Sequence, residues 1–381
     1  IQGVGGAMTS AVVLGMIFTM FPDRREQAKA MGVFSFIASG GGSVGLIAGG
    51  VLTDLISWHW IFFVNVPIGI ATFVLALRFV PADRGLGFGK GADVLGAVLI
   101  TSALMLLVYT MVKPAADDGW GATTTLAFGA VAILLLVAFV VREATARTPL
   151  VPLGIFRSRN IAGSNLVQIL SVAGMFGMFF MGTLYLQKVL GYSPLQIGFS
   201  FLPATVTMGG LSIGYTDKLI MRFGPRNVLV PGLVLICGAL AWFTQISVDG
   251  TYWVDVFPAM LLFGIGAGTA FPALMTLAMS GVEPHQAGLA SGLVNTTAQV
   301  GGALGLAVLA TLSATHSDKL TEQGKSLPEA LTGGYQLAFI VGLGLALAGL
   351  LVAITVIKPA PAPAHEHEQA APEGEAVLET V

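Results

Sequence analysis

Residues Ser57 to Val80 read SWHWIFFVNVPIGIATFVLALRFV. Two tryptophans and a histidine stand directly before an apolar run in which no charge occurs from Trp60 to Leu77. A helix of about 20 apolar residues is the length that crosses the hydrocarbon of a bilayer. Trp58 and Trp60 at its start suit the interfacial aromatic belt, where an amphipathic ring has one wet edge. Asn65 and Pro67 interrupt the run. Pro67 has no amide hydrogen for the carbonyl of Phe63, which favours a helix kink there, and the Asn65 amide is a nearby donor. An unpaired polar group is costly in hydrocarbon, so such a donor has a use.

The rest of the chain agrees with a membrane reading. Only 10% of the 381 residues are charged against 55% hydrophobic, and soluble domains carry about 25% charged residues. Mean hydropathy is +0.84. Glycine reaches 50 of 381, and in apolar segments glycine lets helix backbones approach closely. A net charge of −2 argues against nucleic acid as a partner. Cys237 is the one cysteine, so neither a disulfide framework nor a cysteine metal cluster is expected.

Apolar segments of spanning length fall at about 1–20, 29–55, 58–80, 93–112, 122–141, 161–187, 194–214, 227–247, 254–280, 287–313 and 334–357. These eleven predict an all-α polytopic membrane protein. The connections on one side hold fourteen of the 18 Lys and Arg, which the positive-inside rule assigns to the cytoplasm. That places the C-terminus inside and Ile1 outside. Residues 358–381, rich in Pro, Ala and Glu, are expected to be a disordered cytoplasmic tail.

An internal repeat refines the organisation. GVGGAMTSAVVLGMIFTMFPDRREQAKAMG from Gly3 resembles GIGAGTAFPALMTLAMSGVEPHQAGLASG from Gly264. Each is a glycine-rich helix, a proline in a polar loop, then Gln-Ala and another glycine-rich helix. Such repeats are typical of secondary transporters, whose substrate site lies between two halves. The expected division is 1–81 as the last three spans of a first half, 82–160 as two inserted spans with cytoplasmic linkers, and 161–357 as a six-helix second half.

Four stretches carry a family resemblance. IQGVGGA (Ile1–Ala7) resembles the end of the fourth-helix motif of the major facilitator superfamily. GGGSVGLIAGG (Gly40–Gly50) resembles its antiporter motif, with Leu46 in place of the proline. WHWIFFVNVPIG resembles the entry to the sixth helix, with His59 in place of arginine. LYLQKVLGYSPLQIGFSFLP (Leu184–Pro203) resembles the connection after the ninth. Together they resemble the fourteen-span drug:proton antiporters of the EmrB/QacA type, and on that alignment the chain is expected to lack three spans and the start of a fourth. The resemblance implies that the proton-coupling acid and the fourth-helix arginine lie outside these 381 residues.

Candidate site residues follow. Gly41, Gly45, Gly49 and Gly50 are expected to pack the antiporter motif tightly, and Gly301, Gly302 and Gly305 to do the same in the second half. Asp217, Arg222 and Arg226 lie in GYTDKLIMRFGPR (Gly214–Arg226), which resembles the family's cytoplasmic loop motif; a conformation-dependent charge lock and simple topological anchoring both fit. Asn165, Gln168, Met175 and Phe179 share a face at helical spacing, and Asn295 and Gln299 stand one turn apart. Mid-membrane amides face a cavity or another helix, and Met and Phe beside them suit lipophilic ligands. These six are expected to line a substrate cavity.

The expected function is proton-coupled efflux of lipophilic or amphipathic small molecules, including antibiotics, by alternating access, in the cell membrane. A facilitator importing a nutrient or metabolite is the alternative and calls for a densely polar cavity. A membrane enzyme calls for a catalytic cluster, and none is found. No cofactor or metal is expected; HEHE (His365–Glu368) is better read as solvated tail. The expected partners are a small lipophilic substrate, protons and the bilayer, with a periplasmic adaptor left open.

Overall fold

The structure is a computed structural model that describes residues 47–80, 93–280, 282 and 287–359, with isolated positions between 3 and 45. Of the eleven expected spans, 1–20 and most of 29–55 therefore lie outside the described residues, as does the tail beyond 359. The other nine segments are helical. Eight of the described helices are long and apolar enough to cross a membrane, and a further pair, Pro194–Ser212 with Thr216–Phe223, is apolar enough together but bent by 52°.

The helices are α1 (47–55), α2 (Trp60–Phe79), α3 (Val94–Val112), α4 (Thr123–Thr145), α5 (Arg159–Lys188), α6 (Pro194–Ser200), α7 (Leu202–Gly214), α8 (Thr216–Phe223), α9 (Pro225–Phe243), α10 (Phe257–Ala278), α11 (Ala287–Glu322) and α12 (Leu327–Thr355). Their starts carry the side chains that helix starts need. Asp93 accepts from the Gly96 amide, Ser158 from Ile161, and Ser193 and Ser326 form capping boxes with Gln196 and Glu329. Each satisfies backbone donors that have no intrahelical partner. Gly224 turns α8 into α9 at φ 81°, a conformation that glycine adopts without strain.

Helices α5 and α7 to α12 pack into one bundle, with α3 and α4 paired beside it and α3 leaning on α11. The bundle is held by close backbone approach and stacked rings. Gly232 of α9 faces the Gly266 carbonyl of α10, Gly174 of α5 faces the Gly342 carbonyl of α12, and Phe243 stacks on Phe339 at 4.9 Å. The outside is apolar: Phe62, Phe73 and Leu77 on α2 and Leu351 on α12 are exposed, which suits lipid and would not suit water.

A tight seam joins α5 to α11. A Cβ on Gly301 would lie 2.6 Å from the Ile169 carbonyl oxygen and 2.8 Å from its Cα. One turn along, Gly305 meets Ala173, and a turn further Leu309 fills the space over Gly177. One turn back, Thr297 bonds Asn165. Both sequences advance together along these four contacts, so the two helices run parallel. Gly301→Ala should lower stability in detergent by about 1–3 kcal/mol, the usual cost of overpacking. Gly344→Ala on α12, where a Cβ meets nothing within 4 Å, should leave it unchanged or raise it. Thermal unfolding of the two purified variants checks this.

Candidate functional site

The six expected cavity residues go to different places. Asn165 is buried in the α5–α11 seam: its amide donates to the Ile161 carbonyl at 2.8 Å, and its oxygen accepts from the Thr297 hydroxyl at 3.0 Å. One bond ties the side chain to its own helix and the other crosses to α11, so it is spent within the seam. Gln168 is half-buried on α5, and Asn295 is exposed on α11.

Met175 and Phe179 line a cavity of about 410 Å³ with Phe176, Phe180, Thr183 and Leu306. Phe179 is braced by Phe201 at 5.2 Å and edge-on by Phe263 at 5.5 Å. The Thr183 hydroxyl donates to the Phe179 carbonyl at 2.7 Å, so it leaves the lining with little polar demand. Three aromatic rings besides Phe179's own braces and one methionine offer flat, polarisable, shape-tolerant walls. Gln299 lies in a second cavity, about 500 Å³, where Met105 and Tyr109 of α3 face Ala303 and Leu304 of α11. Its amide is the one carboxamide on a lining that is apolar apart from the Tyr109 hydroxyl.

The other expected sites are as follows. Gly50 is buried, and a Cβ there would come within 2.9 Å of both the Leu195 Cα and the Pro194 carbonyl oxygen. Around Gly41, Gly45 and Gly49 there is open space among the described residues, and Leu46 lies outside them. The Asn65 amide donates to the Ile61 carbonyl at 2.9 Å, not to that of Phe63. The helix is interrupted at Val64, three residues before Pro67, and then runs on to Phe79.

At the other end of the bundle, Asp217 and Arg222 are exposed on α8 and form no ion pair among the described residues. Arg222 instead lies 5.2 Å over the Phe223 ring. Arg226 donates to the Ile354 carbonyl at 2.6 Å and the Ala353 carbonyl at 3.5 Å. It clamps the C-terminal carbonyls of α12, where a cation is favoured. The charge-lock reading of these three residues is not the arrangement seen.

The sequence profile of the Major Facilitator Superfamily matches residues 1–306. The chain belongs to that superfamily. It is 34% identical over 366 residues to the puromycin resistance protein pur8 of Streptomyces alboniger, covering 94% of this chain and 72% of that one. It is 34% identical over 356 residues to the cephamycin export protein CmcT of Amycolatopsis lactamdurans, covering 93% and 71%. The tetracenomycin C resistance and export protein of Streptomyces glaucescens is 34% identical over 316 residues, covering 82% and 58%. This is a multi-pass membrane transporter of the kind whose relatives are named for antibiotic resistance and export.

Two charged features of this transporter were not singled out as sites from sequence. One is Asp54, treated below. The other joins α3 to α4: Arg142 donates to Asp93 at 3.1 Å, and the neighbouring Glu143, buried, accepts from the Val151 amide at 2.8 Å. Its other oxygen has no partner among the described residues and lies beside Gly96, as does an oxygen of Asp93. The nearest signal was the Arg-Glu pair ending an apolar segment, which reads equally well as ordinary basic flanking.

The Gly96 amide first, and then the Arg142 guanidinium, hold the Asp93 carboxyl below its ordinary value. A carboxylate held low adds stability that is present at neutral pH and is lost as pH falls through the lowered value. Asp93→Asn keeps a good helix cap but removes the charge opposite Arg142. It should lower the thermal midpoint at pH 7, and the gap from the parent should narrow as the pH is lowered into the acid range.

Proposed function

We propose that this protein exports lipophilic or amphipathic small molecules, antibiotics among them, from the cell, driven by the proton gradient. In this reading 161–357 is one helical half, 82–160 contributes two inserted spans, and 1–81 belongs to the opposite half. The membrane is the cell membrane and the C-terminus is cytoplasmic. Substrate enters and leaves by alternating access, which exposes a site between the halves to one side at a time.

The observation that carries the reading is the cavity of Met175, Phe176, Phe179, Phe180, Thr183 and Leu306, in a chain whose relatives are named for resistance to puromycin and tetracenomycin C and for export of cephamycin. A cavity lined by rings and a thioether binds by area and shape, so it tolerates varied apolar compounds. A site for a sugar or amino acid would need several converging hydrogen-bond groups, because a polar ligand loses its water on entry. Export in this reading is coupled to proton entry. A titratable group within the membrane is the usual requirement for such coupling.

Expressed in a bacterium without its own drug pumps, the protein should lower ethidium accumulation and raise resistance to a lipophilic antibiotic several-fold, and an uncoupler should abolish both. No change over a broad panel of compounds would remove the proposal. Cysteines at Met175 and Phe179 should react with a water-soluble thiol reagent and be protected by substrate. A cysteine at Asn165, in the seam, should stay inert.

A further inference from the structure

The strongest long-range polar contact of α1 is made by Asp54. One carboxylate oxygen accepts from the Ser193 hydroxyl at 2.9 Å and from the Leu195 amide at 3.1 Å. Those residues open α6, and the bookkeeping of its first turn shows what Asp54 adds. The Ser193 amide is bonded to the Gln196 side chain at 2.8 Å, and the Gln196 amide to the Ser193 hydroxyl oxygen at 3.4 Å. Pro194 has no amide hydrogen. Leu195 is the remaining donor of that turn, and its acceptor comes from α1. One turn earlier on α1, Gly50 brings the backbones together at Pro194 and Leu195. The contact thus has a smooth face and a charged tip, on segments more than a hundred residues apart.

The same helix leads to the cavity. Ser200 ends α6, and Phe201, which follows it, is fully buried and packs at 5.2 Å against Phe179. The start of α6 is therefore held by Asp54 and its end leans on the cavity wall. Seven residues of helix span about 10 Å, short enough to move as a rigid lever.

The character of the bonds decides whether they fasten or latch. Asp54 is exposed, so when it separates from Ser193 and Leu195 all three groups regain water. Breaking a charge-assisted hydrogen bond there costs far less than stranding one in hydrocarbon. The face at Gly50 has no side chain to unlock. The contact is specific but cheap to reverse.

We propose that Asp54 is a positioning residue for substrate release, acting as the latch that closes one end of the transporter and holds the Phe201–Phe179 wall. On the positive-inside assignment that end is the outer one. This rests on the export reading for its meaning, but its geometry is testable alone. In the intact chain carrying Cys237→Ala and Met175→Cys, labelling by a membrane-impermeant maleimide added outside reads the opening of that end. Asp54→Ala should raise the labelling rate roughly three- to tenfold, less than the usual range for hydrogen bonds to a charged group because this one is exposed. Asp54→Asn, which keeps an acceptor, should raise it less, and Ser193→Ala should fall between Asp54→Asn and the parent.

A second arm pairs Asp54→Cys with Ser193→Cys in the Cys237→Ala chain and bridges them with a short, reducible bis-thiol reagent. Bridging should stop export, and reduction should restore it in the same sample, which shows that the protein is folded. Unchanged labelling in Asp54→Ala, or undiminished export by the bridged protein, would overturn the latch. If the chain exports nothing tested while Asp54→Ala still opens the end, the export reading fails and the latch stands.

Discussion

In hydrocarbon two helices gain nothing by hiding apolar surface from each other, so their association depends on how closely backbones and side chains fit. One such fit, the α5–α11 seam, fixes the wall from which the cavity is built. Gly301 against Ile169 and Gly305 against Ala173 bring the helix axes close enough for dispersion contacts along several turns. Asn165 and Thr297 exchange a hydrogen bond within that seam. The bond sets the register, because sliding by one turn would leave a buried amide oxygen unpaired. The close fit also fixes which residues fall outside it. Met175, Phe176 and Phe179 stand along the flank of the seam, with Phe176 against Gly302, and the cavity opens beside it.

The polar groups obey the same constraint. Nearly every threonine hydroxyl in the spans donates to a carbonyl three or four residues back: Thr110 to Leu106, Thr183 to Phe179, Thr276 to Pro272 and Thr311 to Ala307. Groups that satisfy themselves leave a surface that behaves as apolar, and this is why a lining that contains Thr183 stays hospitable to lipophilic compounds. Several polar groups that reach across helices do so near the ends. Tyr185 reaches the Ser247 carbonyl, Gln336 the Ile246 carbonyl, Arg226 the end of α12 and Asn160 the Lys358 amide. The middle of the bundle is packed, and its rims are tied.

Composition and span length made the membrane class and nine described helices legible before any coordinates, because a charge-poor run of twenty residues has few other physical solutions. The site was legible only in part. Asn165 and Gln168 were placed on one face, yet three residues separate them by about 60° around a helix. That was enough to put Asn165 inside the seam and leave Gln168 at its edge. Spacing identifies a face but not its neighbour, and here the neighbour is 132 residues away. The Asn65 amide was expected near the carbonyl that Pro67 frees, but a side chain on a helix points back towards its own preceding turn, and Ile61 is the carbonyl within its reach. Arg226 looked like a partner for Asp217 because both sit in one short loop. The open carbonyls of α12 are a stronger attraction than an exposed carboxylate, whose pairing in water is worth little.

These differences in strength determine which parts can move. Prying α11 from α5 would open voids beside Gly301 and Gly305, unpair Asn165 and require every contact of the seam to fail together. The clamp of Arg226 on two carbonyls at the start of α9 and the stack of Phe243 on Phe339 at its other end bind α9 to α12 in the same way. The contact of α1 with α6 has a different constitution: one glycine, one carboxylate oxygen and two donors that water can replace. A machine that must rock without unfolding needs a stiff body and an interface whose two states differ by little. The sequence supplies both with the same residue type. Glycine fitted against buried backbone and methyl groups makes a permanent seam, and glycine beside an exposed charge makes a contact that can part.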